Sequence, residues 1–562
     1  MKDKRKDVMA KSAALYVTML AVWTVLAVFL WVNFIRVFKS VPFKSEIETV
    51  TKARKICALI LLGFNAVFIS YFWLNGVKDF IYVVWYYINR GRLIRRHKSV
   101  AEAEGINENA KVLLLYCTCN DFDGASLLKS LERQTWKNAE AVILDDSSNE
   151  TYKKSIDEFA KEHNIKVVRR ADRKGFKAGN INHFLLSDEI KGNYDYSVIL
   201  DSDEILPENF IQDCLRYFNR YKNVGIVQGN HISTRNRNLF MKLFHIGVNS
   251  HWPTYQTMKH FYGFSTMLGH GAMISRECYE KAGGFPELVA EDLCLSIEIR
   301  NYGYYVAFAP EIVCEEEYPI DYAAFKKRHS KWTQGNLEFI KKYTKKIVKS
   351  PMKWYEKLDI VLFTYNLPLT AIFAFFIFLN LVFAPVIGID LGRVYKLWMI
   401  VPTIIFFFSP MLNDFIVWTF RLNPLRNLAY FFCVIILYGS MLTTSLVSAA
   451  LGMAGKKAKF IVTPKSSSKV TLLWALKFQW KEIAFSSLLL ALGLIFHDAL
   501  SVILIIATGY LSIILLFFSN KRYTEEETEK IDRKTSEISK KINRVYLLES
   551  AASGEENQKA AY

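Results

Sequence analysis

The sequence predicts a mixed, mostly parallel α/β domain inserted in an α-helical bundle of membrane-spanning and interfacial helices. Three observations predict it. Of the 562 residues, 51% are hydrophobic and 15% aromatic, too apolar for a purely soluble chain. Yet 22% are charged, too many for a chain lying wholly in a bilayer. The charge-free runs gather toward the two ends, around a charged middle in which short apolar runs alternate with helix-like stretches.

The first two runs hold 24 uncharged residues between Lys11 and Arg36 and 22 between Lys55 and Lys78. Each matches the roughly 20 residues that cross a hydrocarbon core. The first has a basic start, but its apolar run is too long for a signal peptide and no small-residue cleavage site follows, so it reads as an anchor. Later runs hold 30 residues between Asp359 and Asp390, 17 between Lys396 and Asp414, 29 between Arg426 and Lys456, 15 between Glu482 and Asp498, and 22 between Asp498 and Lys521. The net charge of +18 suits anionic headgroups or nucleotide phosphates. Because the basic residues cluster beside the spans, it does not indicate nucleic acid. The eight cysteines show no paired CxxC spacing, which argues against a disulfide framework or zinc site and fits a reducing compartment. The tail after Asn520 is charged and reads as an exposed helix or disorder.

Within the middle, residues 112–116, 142–144, 167–168, 198–200 and 225–228 are buried-strand candidates, with helix-like pieces at 125–134 and 152–163 between them. Alternation of this kind implies a parallel sheet with helices on both faces and a ligand at the carboxyl ends of its strands. Acidic residues stand at those ends. The run 142–144 leads into Asp145 and Asp146, and 198–200 leads into Asp201-Ser202-Asp203. Two carboxylates flanking one residue can share a hard divalent cation that neutralises a diphosphate; read alone, the pair is equally a turn or N-cap. The stretch 172–182 contains Lys177-Ala-Gly-Asn180, a basic loop entering a helix at Asn180, whose lysines can reach phosphates. Asp292 follows a tight turn at 283–286 and can serve as a general base, or simply cap a helix. Residues 328–335 place Trp332 in a basic aromatic stretch suited to sugar stacking, or to an interfacial helix with snorkelling lysines.

Taken in order, these motifs resemble those of the processive family 2 glycosyltransferases that make polysaccharides in membranes. Cellulose-synthase-like glucan synthases are the nearest type, and hyaluronan and chitin synthases are more distant. The family's DD, KAGN, DxD, TED and QxxRW correspond to Asp145-Asp146, Lys177–Asn180, Asp201–Asp203, Ala290-Glu291-Asp292 and Arg328–Trp332. Its gating-loop motif FxVTxK corresponds to residues 460–465. The resemblance covers roughly residues 105–465 and implies a GT-A-type nucleotide-sugar domain. It implies Mg2+ or Mn2+ on Asp201 and Asp203. It implies a UDP-sugar donor contacted by Thr118, Asp145, Asp146, Lys177, Asp201, Lys331, Thr463 and Lys465. The acceptor end would be formed by Gly269, His270, Glu291 and Trp332, with Asp292 as catalytic base. Three departures stand out: Ala290 replaces the threonine of TED, Arg328 and Lys331 replace the glutamine and arginine of QxxRW, and Leu268-Gly-His270 replaces an acceptor-site CGS. The GHGA and RxxKW forms look closer to osmoregulated periplasmic glucan synthases than to cellulose synthase, and they leave the linkage open.

The implied organisation is a two-span region (1–78), a cytoplasmic catalytic domain (79–320) and interfacial helices with RxxKW (321–357). Two spans plus an interfacial helix follow (358–455), then the gating loop and an interfacial segment (456–481), two spans (482–520) and a charged cytoplasmic tail (521–562). Catalytic domain and gating loop must face the same pool of nucleotide sugar, so one of the three runs between them does not cross; 427–455 is assigned that role, giving six crossings in a cell membrane. The expected activity is polymerisation of a UDP-sugar, best UDP-glucose into a β-glucan, with export of the growing polysaccharide; a homo-oligomer or auxiliary export proteins are further expected partners. Two rivals remain: transfer of a single sugar to a lipid phosphate, which has no need of FxVTxK, and a non-enzymatic transporter or scaffold, which has no need of two ordered carboxylate sites. Arg92 and Arg96 have RxxxR spacing, but no DxSxxG follows, so they read as juxtamembrane anchors rather than a cyclic-dinucleotide site.

Overall fold

The computed structural model describes residues 8–103, 105–419, 421–456 and 469–543. Seven strands form one sheet: β1 (Val112–Thr118), β2 (Ala139–Asp145), β3 (Lys166–Arg169), β4 (Tyr196–Asp201), β5 (Val224–Thr234), β6 (Ala272–Ser275) and β7 (Tyr305–Glu317), in the order β3-β2-β1-β4-β6-β5-β7. β1 pairs in parallel with β2 and β4, β2 with β3, and β5 with β7. β6 runs antiparallel between β4 and β5. The sheet is therefore mixed and mostly parallel, as the sequence predicts.

Strand alternation supplies the core on both faces. Leu114 and Tyr116 pack with Phe210, Ile211 and Leu215 on one side, while Leu113 and Leu115 pack with Ile181, Phe184 and Leu295 on the other. Helices Gly124–Glu132 and Glu150–Glu162 occupy the predicted positions and are capped by Asp123 and Asn149, whose side chains accept Ser126 N–H and Thr151 N–H. The helix expected to begin at Asn180 begins earlier, spanning Phe176–Leu185 after Gly175 in a left-handed conformation (φ +73°). Lys177 is thus on its first turn rather than in a loop.

Five helices among the described residues are long and apolar enough to cross a membrane: Ala14–Lys39, Lys52–Ala101, Leu397–Trp418, Pro424–Met453 and Ala499–Phe517. Two bent pairs would bring the number to seven, one broken by 57° within residues 354–386 and one by 68° within 472–495. The second helix does not stop at Lys78. It continues 23 residues further because Lys78 is neutralised in place, 3.4 Å from Asp79 and donating to Leu362 O at 3.3 Å. Its carboxyl-terminal part, with His97 and Val100 buried, packs on the sheet domain.

Two further helices join the sheet domain to the apolar bundle. Leu239–Phe261 follows β5, and Tyr322–Lys349 follows β7. The tail is ordered as helix Glu525–Asn543, which lies against Leu239–Phe261 and β5.

Candidate active site

The parallel register brings the carboxyl ends of β1, β2 and β4 side by side, with Thr118 opposite Asp145 and Cys117 opposite Asp201. A cavity of about 550 Å³ opens there. Thr118, Asp146, Lys177, Asp201, Asp203, Gly269, His270, Glu291, Asp292, Lys331 and Trp332 all line it. Residues more than 200 positions apart in the chain thus meet at one place.

Asp145 is the exception. Its carboxylate is fully buried and receives Arg169 Nε at 2.6 Å and Ser147 N–H at 2.8 Å. It shapes the turn after β2 rather than facing the cavity. Asp146 is held by the Arg170 guanidinium through two bonds, of 2.9 and 2.7 Å. Thr463 and Lys465 lie outside the described residues.

Asp201 is half-exposed and paired with Lys177, whose ammonium also donates to Gly269 O at 2.9 Å. Burial pulls the Lys177 ammonium down, but the Asp201 carboxylate outweighs it and holds it above its ordinary range. Asp203 is anchored from two sides. Its Oδ2 accepts Glu317 N–H at 3.2 Å, and its carbonyl accepts Arg235 Nη2 at 2.6 Å.

His270 turns out to belong beside this carboxylate pair. Its Nδ1 lies 3.2 Å from Glu204 Oε1, and its Nε2 lies 3.3 Å from Glu316 Oε2 and 4.0 Å from Asp201 Oδ2. The ring stacks on His231 at 4.4 Å. Burial would lower its pKa, but Glu204 and then Asp201 raise it well above the usual histidine range. Gly271, at φ +58°, lets the two rings and Glu204 converge. A Cβ there would stand 2.4 Å from His231 Nε2 and 2.5 Å from Glu204 Oε1.

Opposite stands the acidic pair at the amino end of helix Glu291–Glu298. Burial raises both carboxyls above their ordinary range. The Asp292 charge adds to the shift at Glu291, and Lys177 opposes it at both. Lys331 and Trp332 come from helix Tyr322–Lys349. Burial lowers the Lys331 ammonium, against the pull of Glu291 and Asp201. Trp332 is 46% exposed, and the Arg328 guanidinium sits over its ring at 4.8 Å and over Tyr318 and Phe325 at 5.3 and 5.4 Å. The glutamine-to-arginine departure therefore builds an aromatic clamp.

The donor set suits a divalent cation. Asp201 and Asp203 both line the cavity, and carboxylate oxygens are hard ligands. The ligand atoms of His231, His270 and Glu316 lie within 4.8 Å of one another, as do those of Glu204, His231 and Cys314.

Sequence reasoning missed His231, Glu204, Glu316, Arg170 and Arg235. Glu316 and His231 are adjacent through the parallel pairing of β5 with β7, a strand with no sharp apolar run in the sequence. Glu204 had a local signal, since it is the residue after the predicted cation pair.

The cavity continues past the carboxylates toward the apolar helices, where His251, Trp252 and Gln256 on one side meet Phe363, Thr364 and Leu367 on the other.

Residues 197–447 match the family model described as glycosyl transferase family group 2. A probable glucomannan 4-beta-mannosyltransferase of Arabidopsis thaliana is 24% identical over 243 residues, 41% of this chain and 44% of that protein. A poly-beta-1,6-N-acetyl-D-glucosamine synthase of Staphylococcus epidermidis is 22% identical over 282 residues, 50% of this chain and 65% of that protein. The chain thus spans about half to two thirds of the curated relatives it matches. Among solved structures, a mannosyltransferase of Pyrobaculum calidifontis in complex with GDP-Man and Mn2+ aligns with a TM-score of 0.41 at 16% identity, covering 71% of this chain and 99% of that one. The family match begins inside β4 and takes in Asp201 and Asp203, the acidic pair and the RxxKW helix: residues 197–447 resemble glycosyl transferase family group 2, and the chain resembles synthases of β-linked glycans.

Proposed function

We propose that the protein is a membrane-embedded, processive, inverting glycosyltransferase that polymerises a nucleotide sugar, best UDP-glucose into a β-glucan, and passes the product across the bilayer. The observation that carries this reading is the single cavity lined by Asp201, Asp203, Lys177, Glu291, Asp292, Lys331 and Trp332 and continued between helix Leu239–Phe261 and the bent apolar pair.

Asp201 and Asp203 would hold Mg2+ or Mn2+, which when bound supplies positive charge to the diphosphate. Lys177 and Lys331 add their ammonium groups to the same oxygens. Asp292 takes the proton of the acceptor hydroxyl. Its raised pKa makes it a stronger base than an exposed aspartate, while Lys177 opposes that rise. Attack on the anomeric carbon then proceeds opposite the departing nucleotide. Trp332, fixed by Arg328, offers its ring to the terminal sugar of the chain.

The arrangement of helix Pro424–Met453 supports catalysis and export on one topology. Although apolar enough to cross, it is touched at both ends by helices of the catalytic side. Arg426 donates to Lys242 O at 3.4 Å near its start, and Lys341 donates to Gly452 O at 2.8 Å near its end. Between them, Ser445 and Ser448 bond His329 and Ser330. A helix about 45 Å long that touches the same layer at both ends lies along that layer. This favours the interfacial assignment, six crossings, and a catalytic domain facing the cytoplasmic nucleotide pool.

The mannosyltransferase activity named for the plant relatives favours a second donor class, a nucleotide-activated mannose, on the same site. Purified protein in lipid bilayers, given UDP-glucose, UDP-N-acetylglucosamine and GDP-mannose in turn with Mn2+ or Mg2+, should release nucleotide from one donor and build a high-molecular-weight product. Linkage-specific digestion names the glycan. A single-sugar lipid product would replace polymerisation by the lipid-phosphate alternative, and metal-independent turnover would reject the cation role of Asp201 and Asp203.

A further inference from the structure

A second cavity, of about 350 Å³, lies away from the catalytic carboxylates, where helix Leu239–Phe261, the turn between Trp418 and Pro424, and the tail helix Glu525–Asn543 meet. Its lining has two characters. Ile246, Trp418 and Leu422 are among its apolar lining, and Lys242, Arg426, Lys530 and Lys534 are its basic lining, with Glu527 as the one carboxylate. Burial and the Arg426 guanidinium both lower the Lys242 ammonium, and Glu527 compensates only in part. The ammonium also lies 5.4 Å from the Tyr523 ring centre. Four cations against one carboxylate leave the lining with a net positive charge.

We propose that this cavity binds a phosphate-bearing anion, supplied in the bilayer by the headgroup of an anionic phospholipid. The inference rests on the membrane reading above, which places the 418–424 turn at headgroup level between two apolar helices. Lys and Arg supply the phosphate contacts, and the apolar wall accommodates the start of an acyl chain.

Occupancy has a route to the active site. The helix that contributes Lys530 and Lys534 also carries Asp532. The Asp532 carboxylate accepts Arg235 N–H at 2.7 Å, Asn236 N–H at 3.2 Å and Asn236 Nδ2 at 2.9 Å. Arg235 sits in a left-handed conformation (φ +55°) that this clamp supports. Its guanidinium in turn donates to the Asp203 carbonyl and to Asp123, and pairs by charge with Glu317, 2.8 Å from Nε. An anion that neutralises Lys530 and Lys534 draws the tail helix down, tightens the Asp532 clamp and fixes the backbone of Asp203. The site therefore acts as a lipid-sensing strap on the cation carboxylates.

The test is hydrogen exchange on the full chain in bilayers of phosphatidylcholine alone or mixed with phosphatidylglycerol, without donor substrate. Phosphatidylglycerol should slow exchange in the tail helix and at the Arg235 and Asn236 amides by about tenfold or more. The double variant Lys530→Gln/Lys534→Gln should lose that difference at both places. Asp532→Asn should keep it in the tail helix and lose it at Arg235 and Asn236. Equal exchange in the two bilayers for the unaltered protein would overturn the site. Glycerol 3-phosphate added to phosphatidylcholine bilayers distinguishes the sources: protection equal to that of phosphatidylglycerol would overturn the lipid as occupant. Failure of the protein to enter bilayers of either composition would overturn the membrane reading together with the inference.

Discussion

Replacing Gly271 by alanine tests whether the histidine–carboxylate cluster is as tightly built as its geometry requires. Two costs add. The φ of +58° places an alanine in the left-handed region, at about 1–2 kcal/mol. The new Cβ would meet His231 Nε2 at 2.4 Å, Glu204 Oε1 at 2.5 Å and Cys314 Sγ at 3.1 Å, so buried groups on β5 and after β4 must retreat, an overpacking cost of about 1–3 kcal/mol. Gly303 calibrates the first term alone, because it has φ +81° and nothing within 4 Å of its Cβ position. Thermal unfolding of both variants in the same detergent should therefore place Gly271→Ala below Gly303→Ala by roughly 2–12 °C, taking about 2–4 °C per kcal/mol for a domain of this size. A Mn2+ titration of nucleotide release should show weakened half-saturation in Gly271→Ala and an unchanged value in Gly303→Ala. Equal melting points would refute the close packing of His231, Glu204 and Gly271. Equal melting with altered metal dependence would confine the effect to the cation ligands.

Asp292→Asn should fold and bind donor nucleotide with unchanged affinity while transfer falls by about 10²-fold or more, read as product per nucleotide bound; retained turnover rejects it as the base. Lys177→Met removes a cation that competes with metal for Asp201, so the donor KM should rise about tenfold or more while the half-saturating metal concentration falls; a parallel rise in both would reject that competition. Glu311 is a buried carboxyl on β7 that accepts Tyr217 Oη–H at 2.6 Å, and burial pushes it up to about 7 from its ordinary value of 4.5. A raised carboxyl pKa means the folded state binds more protons than the unfolded one, so stability falls as pH rises from about 4.5 to about 7. Glu311→Gln should match the unaltered protein below pH 4.5 and exceed it by about 3 kcal/mol above pH 7, measured as the difference in unfolding free energy from denaturant titration. Arg328→Gln should release Trp332 and shorten the product, seen by size-exclusion chromatography, while leaving the rate of donor use within about fivefold, as loss of a cation–π contact of about 0.5–1 kcal/mol implies.

The sheet was legible where strands are short, apolar and end in acid. The runs before Asp145 and Asp201 could be read directly, because a buried parallel strand is a continuous hydrophobic run and its carboxyl end is where polar residues return. β6 and β7 were not legible. Ala272–Ser275 is four residues long, and Tyr305–Glu317 carries Pro310, Glu311 and three glutamates, a composition that no strand template selects. β7 is a strand by virtue of pairing with β5, and that pairing delivers Glu316 and Glu317 to Asp203 and His270. The second helix shows the same limit. Lys78 looks like the end of an apolar run, yet Asp79 beside it and a carbonyl from residue 362 let the charge be buried and the helix continue. Asp145 and Asp146 look alike in sequence, and only the guanidinium assigned to each decides that one faces the cavity.

Those assignments bear on how the cavity handles its own charge. Carboxylates converge here from five elements, and left bare they would repel one another and any diphosphate. The chain sets a basic side chain beside several of them: Arg169 beside Asp145, Arg170 beside Asp146, Lys177 beside Asp201, Arg235 beside Asp123 and Glu317, and His270 beside Glu204 and Glu316. The two arginines on Asp145 and Asp146 are fixed by further bonds, Arg169 to Asp157 and Arg170 to the Lys174 and Phe176 carbonyls, so their pairs are structural. Lys177 differs. Its stem starts on the first turn of a helix, its partner Asp201 is half-exposed, and its second acceptor is the Gly269 carbonyl beside the acidic pair. On the proposed reading Lys177 would be the cation to exchange partners, turning from Asp201 to a diphosphate, while a divalent cation held by Asp201 and Asp203 would supply the balancing charge.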